Sequence, residues 1–174
     1  MASQDEDGWT ALHWITATNY PDAVAVLVGY GASVDAGEAD GITPLMRASS
    51  GDNAETAEAL LMRGAQIEAR DNDGGWTPLI WAAAFDGVDT VRLLALHGAD
   101  VDARDDDGRT ALIVAAEEGQ IGMVELLLSL GADGSIRDAS GKTALESAVR
   151  NGHLETQAAL HFSLRNYFDD SHSA

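Results

Sequence analysis

The chain has 174 residues, 45% of them hydrophobic, no cysteine, and 29 acidic against 10 basic side chains, for a formal net charge of −19. A field of that sign repels phosphate backbones and anionic lipid, which argues against nucleic acid and membrane surfaces and favours a basic or apolar partner. Disulfides and thiolate metal sites are excluded, and with no signal peptide or bilayer-length apolar run the sequence reads as one soluble, cytoplasmic domain over residues 1–174.

Met1–Glu6 is polar and reads as a frayed start. Five similar segments follow, at residues 7–39, 40–72, 73–106, 107–139 and 140–166, with a tail at 167–174. The fourth shows the unit most plainly. Asp107-Gly108 is a turn signal, Thr110 caps a short helix, and Leu112, Ala115, Ala116 and Gly119 share one helical face. A second apolar stripe, Ile121, Val124, Leu127 and Leu128, ends at Gly131, where a left-handed residue closes a helix. Two helices this short do not bury their faces alone, so the unit requires neighbours.

The neighbours repeat its landmarks. Turn glycines fall at Gly8, Gly41, Gly74, Gly108 and Gly141, spaced 33, 33, 34 and 33, the extra residue being one of Gly74-Gly75. In the first repeat, helices are predicted over Ala11–Thr18 and Pro21–Tyr30, with Pro21 at a first helical position where its missing N–H is harmless. The second predicts Pro44–Ser50 and Ala54–Arg63, with Asn53 as N-cap. Its Ser49-Ser50-Gly51 run is poor helix composition and marks this repeat as the least stable and a site of distortion. The third predicts Pro78–Phe85 and Val88–His97, and the fifth Ala144–Asn151 and Leu154–Arg165. Leu164 stands where the other repeats end in Gly, so the last helix runs on or frays as a C-terminal cap.

The period and the motifs TALHWI (Thr10–Ile15), TPLMRA (Thr43–Ala48), TPLIWA (Thr77–Ala82), TALIVA (Thr110–Ala115) and TALESA (Thr143–Ala148) resemble ankyrin repeats. The resemblance implies an all-α solenoid of helix–turn–helix units joined by β-turn or hairpin fingers, with the terminal repeats as caps. The family's histidine after the third motif residue survives only as His13; Met46, Ile80, Ile113 and Glu146 replace it. The polar ties between repeats are therefore expected to be incomplete, and packing to carry more of the stability.

Trp81 lies roughly opposite Leu79 on a helical wheel and points away from the core. In ankyrin proteins that side of the first helices, with the fingers, forms a groove for other proteins. Carried over, the groove floor is Trp14, Arg47, Trp81, Val114 and Ser147, and its edge Trp9, Ile42, Trp76, Arg109 and Lys142. Phe85, Glu117, Glu118 and Arg150 lie beside them. Aromatic side chains and arginine dominate binding hot spots. The expectation is a protein-interaction module, an adaptor, inhibitor or chaperone, monomeric when free. It would grip an extended peptide or loop that is apolar or aromatic with a charged or basic segment. Three competing readings are indoles that merely fill the seams between repeats, an enzyme or small-molecule binder using the Trp-lined hollow as a pocket, and self-association through the aromatic N-terminal cap.

No motif supports the enzyme reading. His13, His97, His153, His161 and His172 form no metal-ligand pattern, and Gly74-Gly75 lacks the Lys-Ser/Thr of a phosphate cradle. The acidic turns Asp71-Asn72-Asp73-Gly74 and Asp105-Asp106-Asp107-Gly108 lack the ligand order of a calcium loop and read as solvated carboxylates. No catalytic residue, cofactor or metal is expected.

Overall fold

A computed structural model describes residues 4–6 and 8–170, with side chains to Phe162. Met1–Ser3 of the predicted frayed start and residues 171–174 of the predicted tail lie outside the described residues, as does Asp7. The chain divides after Asp100 into two compact units.

The first unit holds three helix pairs: α1 (Ala11–Ala17) with α2 (Pro21–Gly29), α3 (Pro44–Ser50) with α4 (Ala54–Leu61), and α5 (Pro78–Ala84) with α6 (Val88–Leu96). Its first helices pack in one row and its second helices in another. The second unit holds α7 (Ala111–Glu117) with α8 (Ile121–Ser129) and α9 (Ala144–Asn151) with α10 (Leu154–Asp170). There α7 packs on α9 and α8 on α10. Among the described residues the regular structure is all helix.

Each first helix starts for the same local reason. Thr43, Thr77, Thr110 and Thr143 sit in extended backbone, and each hydroxyl accepts the N–H three residues on. That satisfies one of the donors a helix start leaves open. Pro44 and Pro78 follow at the first helical position. The helices then bury one face: Leu12, Leu45, Leu79 and Leu112 are at most 1% exposed, as are Leu60, Leu94, Leu127 and Leu160 on the second helices. Burial of each such side chain stabilises by about 1.5–3 kcal/mol. Ala48, Ala82, Ala115 and Ala148 are sealed beside them and let neighbouring helices approach closely. Leu27 and Leu145, in the end repeats, are only partly buried.

Several expectations change. The first-row helices of repeats one and three, and the second-row helices of repeats one to three, end one or two residues earlier than predicted, because left-handed residues follow closely. Asn19, Asp52 and Asp86 take φ of 52°, 50° and 58° between the two helices of repeats one to three, where repeats four and five use Gly119 and Gly152. Asn53 does not cap α4 with its side chain. Its amide instead donates to the Thr16 carbonyl at 2.7 Å, tying repeat two to repeat one. The serines of α3 do not distort it: Ser49 and Ser50 turn their hydroxyls back onto the Leu45 and Arg47 carbonyls of an unbroken helix. The left-handed turn residue of repeat three is Gly75, not Gly74. The last helix runs on through Asp170, so residues 167–170 of the predicted tail are helical.

Polar ties between repeats are present beside the packing. His13 Nε2 donates to the Ile42 carbonyl at 3.0 Å, while Nδ1 accepts the Thr10 N–H at 3.1 Å. Further bonds between repeats, including the pair that His13 joins, involve residues between the helices. Thr56 donates to Asn19 at 2.7 Å, Asp52 accepts the Thr90 N–H at 2.9 Å, and Asn151 and His153 both bond the Glu117 carbonyl.

Candidate functional site

The fingers are built around a carboxylate. Asp5, Glu38, Asp71, Asp105 and Asp138 occupy one phase of the repeat. The backbone N–H of each donates to the carbonyl of the finger residue just before the motif threonine, respectively Trp9, Ile42, Trp76, Arg109 and Lys142. In four of the fingers the turn glycine N–H closes back onto the acid's own carbonyl; in repeat three Gly74 N–H goes to the Asp71 carboxylate instead. Each finger is thus a tight hairpin-like turn with an acid at its base.

In the first unit that acid also reaches the first helix. Asp5 accepts the Trp9 N–H at 2.9 Å and the Trp14 indole N–H at 3.1 Å. Glu38 takes Nε and Nη2 of Arg47, both at 2.7 Å. Asp71 accepts the N–H of Gly74 at 3.0 Å and of Trp76 at 3.2 Å with one oxygen, and the Trp81 indole N–H at 2.9 Å with the other. Three predicted site residues, Trp14, Arg47 and Trp81, are therefore held by one device: finger acid to first-helix side chain.

The rings are brought together in two groups. Trp9 and Trp14 lie 4.7 Å apart between centroids, and Arg47 Cζ sits 5.1 Å over the Trp9 ring. Trp76 meets Trp81 edge-on at 5.3 Å, and Trp81 lies nearly parallel to Phe85 at 5.7 Å. Trp14 and Phe85 are each 57% exposed, and Trp9, Trp76 and Trp81 are partly exposed. Ile42 departs from its predicted place at a groove edge. It is 9% exposed and belongs to the core, its carbonyl taken by His13. Burial lowers the His13 pKa below its ordinary value, against the Ile42 hydrogen bond and Glu38, which raise it.

The second unit is arranged differently. Arg109 is held by Asp105 at 2.9 Å and lies 3.6 Å from Glu117 and 3.7 Å from Asp107. Lys142 Nζ donates to Ser140. Glu118 and Arg150 are exposed, and Glu117 partly so. Val114 and Ser147, predicted as groove floor, are 5% and 2% exposed. At this phase only a bulky side chain emerges from its neighbours, and these two are small.

The buried finger acids are what sequence reasoning missed. Asp71 and Asp105 are 7% and 5% exposed, hydrogen-bonded structural groups rather than solvated carboxylates. The signal was available in an acid recurring in phase with the turn glycines. Among the described residues no cluster of His, Asp and Glu could hold a metal, and no helix is long and apolar enough to cross a membrane.

Helix pairs repeated in stacks and joined by hairpin-like fingers define a repeat-built helical solenoid. The family model of ankyrin repeats matches at residues 1–71, 37–105, 68–138 and 98–163, and the chain belongs to the ankyrin repeat family. Its fold is the all-α ankyrin solenoid. Ankyrin repeats generally mediate protein–protein interaction and are typically non-enzymatic. No curated protein matches the chain.

Proposed function

We propose that this protein binds another protein through the aromatic surface of its first three repeats, acting as an adaptor or inhibitor of that partner. The observation that carries the reading is the run of three rings, Trp76, Trp81 and Phe85, in contact with one another while Phe85 stays 57% exposed. Rigid aromatic groups at a surface supply large contact area with little ordering entropy, which is the character of binding hot spots. The indole held by a buried carboxylate is already oriented, so less freedom is lost on binding. The charge of −19 favours a basic partner and predicts that binding weakens as salt is raised.

The test is affinity capture from native lysate with the wild-type chain and with a Trp76→Ala/Trp81→Ala variant whose fold is checked by thermal unfolding. The expected result is a saturable partner captured by the wild type and lost by the folded variant. Capture that is unchanged in a folded variant overturns this site.

A further inference from the structure

We propose that the open face of repeat one is where two copies of this chain pair, repeat one against repeat one, in place of the free monomer expected from the sequence. This is independent of the protein-binding reading above, whose carrying rings lie in repeat three. α3 packs on α1, α4 on α2 and α9 on α7, so within each unit a repeat is covered by the one before it. Four positions show what repeat one lacks. Ala11 and Ile15 on α1, and Ala23 and Leu27 on α2, are four residues apart, so each pair shares one helix face. All four are apolar; Ala11 is exposed and the other three are partly so. In repeats two, three and five the same phases are sealed. Pro44, Pro78 and Ala144 are buried where Ala11 is open, and Leu60, Leu94 and Leu160 are at most 1% exposed where Leu27 is not. Ala48, Ala82 and Ala148 are sealed at the phase of Ile15, and Thr56, Thr90 and Thr156 at that of Ala23. Val26 and Tyr30, 55% and 89% exposed, continue the α2 face, each three residues beyond Ala23 and Leu27.

Repeat five shows how such a face is fitted for water. Beside an exposed Val149, the side that a following repeat would cover carries Glu146 and Gln157. At those phases repeats one, two and four bury His13, Met46 and Ile113, and Val24, Ala57 and Val124. Polar residues there let a terminal repeat end in solvent. The open side of repeat one has no such replacement and shows core positions to water, which marks an association site. Charge selects the occupant. Between Gly8 and Val34 the only charged side chain is Asp22, in a chain of −19. It lies one residue from Ala23, about 100° round the helix from that face. A basic partner gains little from so neutral a surface. A second copy brings a face that is itself neutral and apolar, and opposes no like charges across the contact. Head-to-tail growth would set this face against the Glu146 side of repeat five. Pairing like with like is two-fold and closes at a dimer.

Sedimentation velocity of the full chain over a dilution series, in low and in high sodium chloride, tests the pairing. The expected result is a reversible monomer–dimer equilibrium that tightens as salt is raised, because the face is apolar while the two chains of −19 repel at long range. Ala11→Glu and Val26→Glu each bring two like charges into the paired face and should weaken dimerisation at least about tenfold. Both replace exposed side chains, and a glutamate at the first position of α1 suits a helix start, so melting curves should show both variants folded. Leu96→Glu, at a side chain 83% exposed on α6, is the control and should leave the dimer intact. A chain that stays monomeric at every concentration in both salts overturns the proposal. So does a dimer indifferent to Ala11→Glu and Val26→Glu, a dimer that loosens as salt is raised, or association that grows past two copies. Each of these leaves the ring surface of repeat three to be judged by the capture experiment alone.

Discussion

Repeat three of the first unit and repeat four of the second place an aspartate at the same point in the same turn, yet use it differently. Asp71 holds two backbone N–H groups and an indole, so a tryptophan and its stacked phenylalanine stand at the surface. Asp105 holds the N–H groups of Asp107 and Arg109 and then the Arg109 guanidinium, and the first-helix position nine residues on is a buried valine. The backbone fixes where the acid goes. Two side chains, four or five and nine or ten residues downstream, decide whether a repeat shows rings or a satisfied ion pair. Burial and the display of side chains at the surface are thus assigned to different positions of one module.

The sharpest way to break that separation is in the core. Leu79 in repeat three and Leu112 in repeat four are each 1% exposed. Leu79→Ala and Leu112→Ala should each lower unfolding free energy by about 2–5 kcal/mol in chemical denaturation, with similar values if the module is the same in both units. A loss below about 1 kcal/mol at either position would show that its repeat is packed on other residues.

The finger acids come next and should differ from each other. Asp105→Asn leaves the Arg109 guanidinium short of its closest carboxylate and costs roughly 2–3 kcal/mol. Asp71→Asn turns an amide donor toward other donors but also removes a buried charge, and costs about 1 kcal/mol. Equal losses would mean that the ion pair contributes nothing beyond the turn.

Acid separates the units by another route. His13 is 0% exposed, with Glu38, Arg47 and Asp5 as the charged groups around it. Its folded pKa is lowered, chiefly by burial, so the fold prefers the neutral ring. The stability this gives is present above the unfolded value of about 6.5 and is lost as pH falls from there toward the folded value. Melting temperature should therefore drop between about pH 7.5 and 5.5. His13→Met, the residue that repeat two carries as Met46, should flatten that slope. A slope unchanged by the substitution would place the titration elsewhere.

How much of this was legible in the sequence follows from which residues repeat. The threonine caps, core leucines and helix-ending glycines recur at one phase because each satisfies a purely local backbone or burial demand. Helix positions were read within a few residues for that reason, apart from the end of α10. The turn of repeat three holds one extra glycine, and the spacing leaves open which of the Gly74-Gly75 pair is left-handed; the φ of 69° places it at Gly75. Ile42 and Val114 share phases with tryptophans, yet they are buried, because exposure at these positions depends on side-chain size against neighbours distant in sequence. The acids at the finger bases were visible as a recurrence and were misread, since acidity alone does not show that a turn has closed over a carboxylate.

The smallest effect tests the bonds between repeats. Thr56 and Thr90 occupy the same position of successive second helices and are both 0% exposed. Thr56 donates its hydroxyl to Asn19 at 2.7 Å. Thr90 meets Asp52 through its backbone N–H at 2.9 Å, and its own hydroxyl oxygen is buried without a hydrogen bond. Valine has nearly the same shape and no hydroxyl to desolvate. Thr56→Val should cost about 1–2 kcal/mol, because Asn19 is left short of a donor. Thr90→Val should fall within about 0.5 kcal/mol of wild type or stabilise slightly, because it removes a buried group that has no partner. Paired denaturation curves measure both, and a loss at Thr90 as large as that at Thr56 would mean its hydroxyl bonds to Asp52 in solution, making the two ties alike.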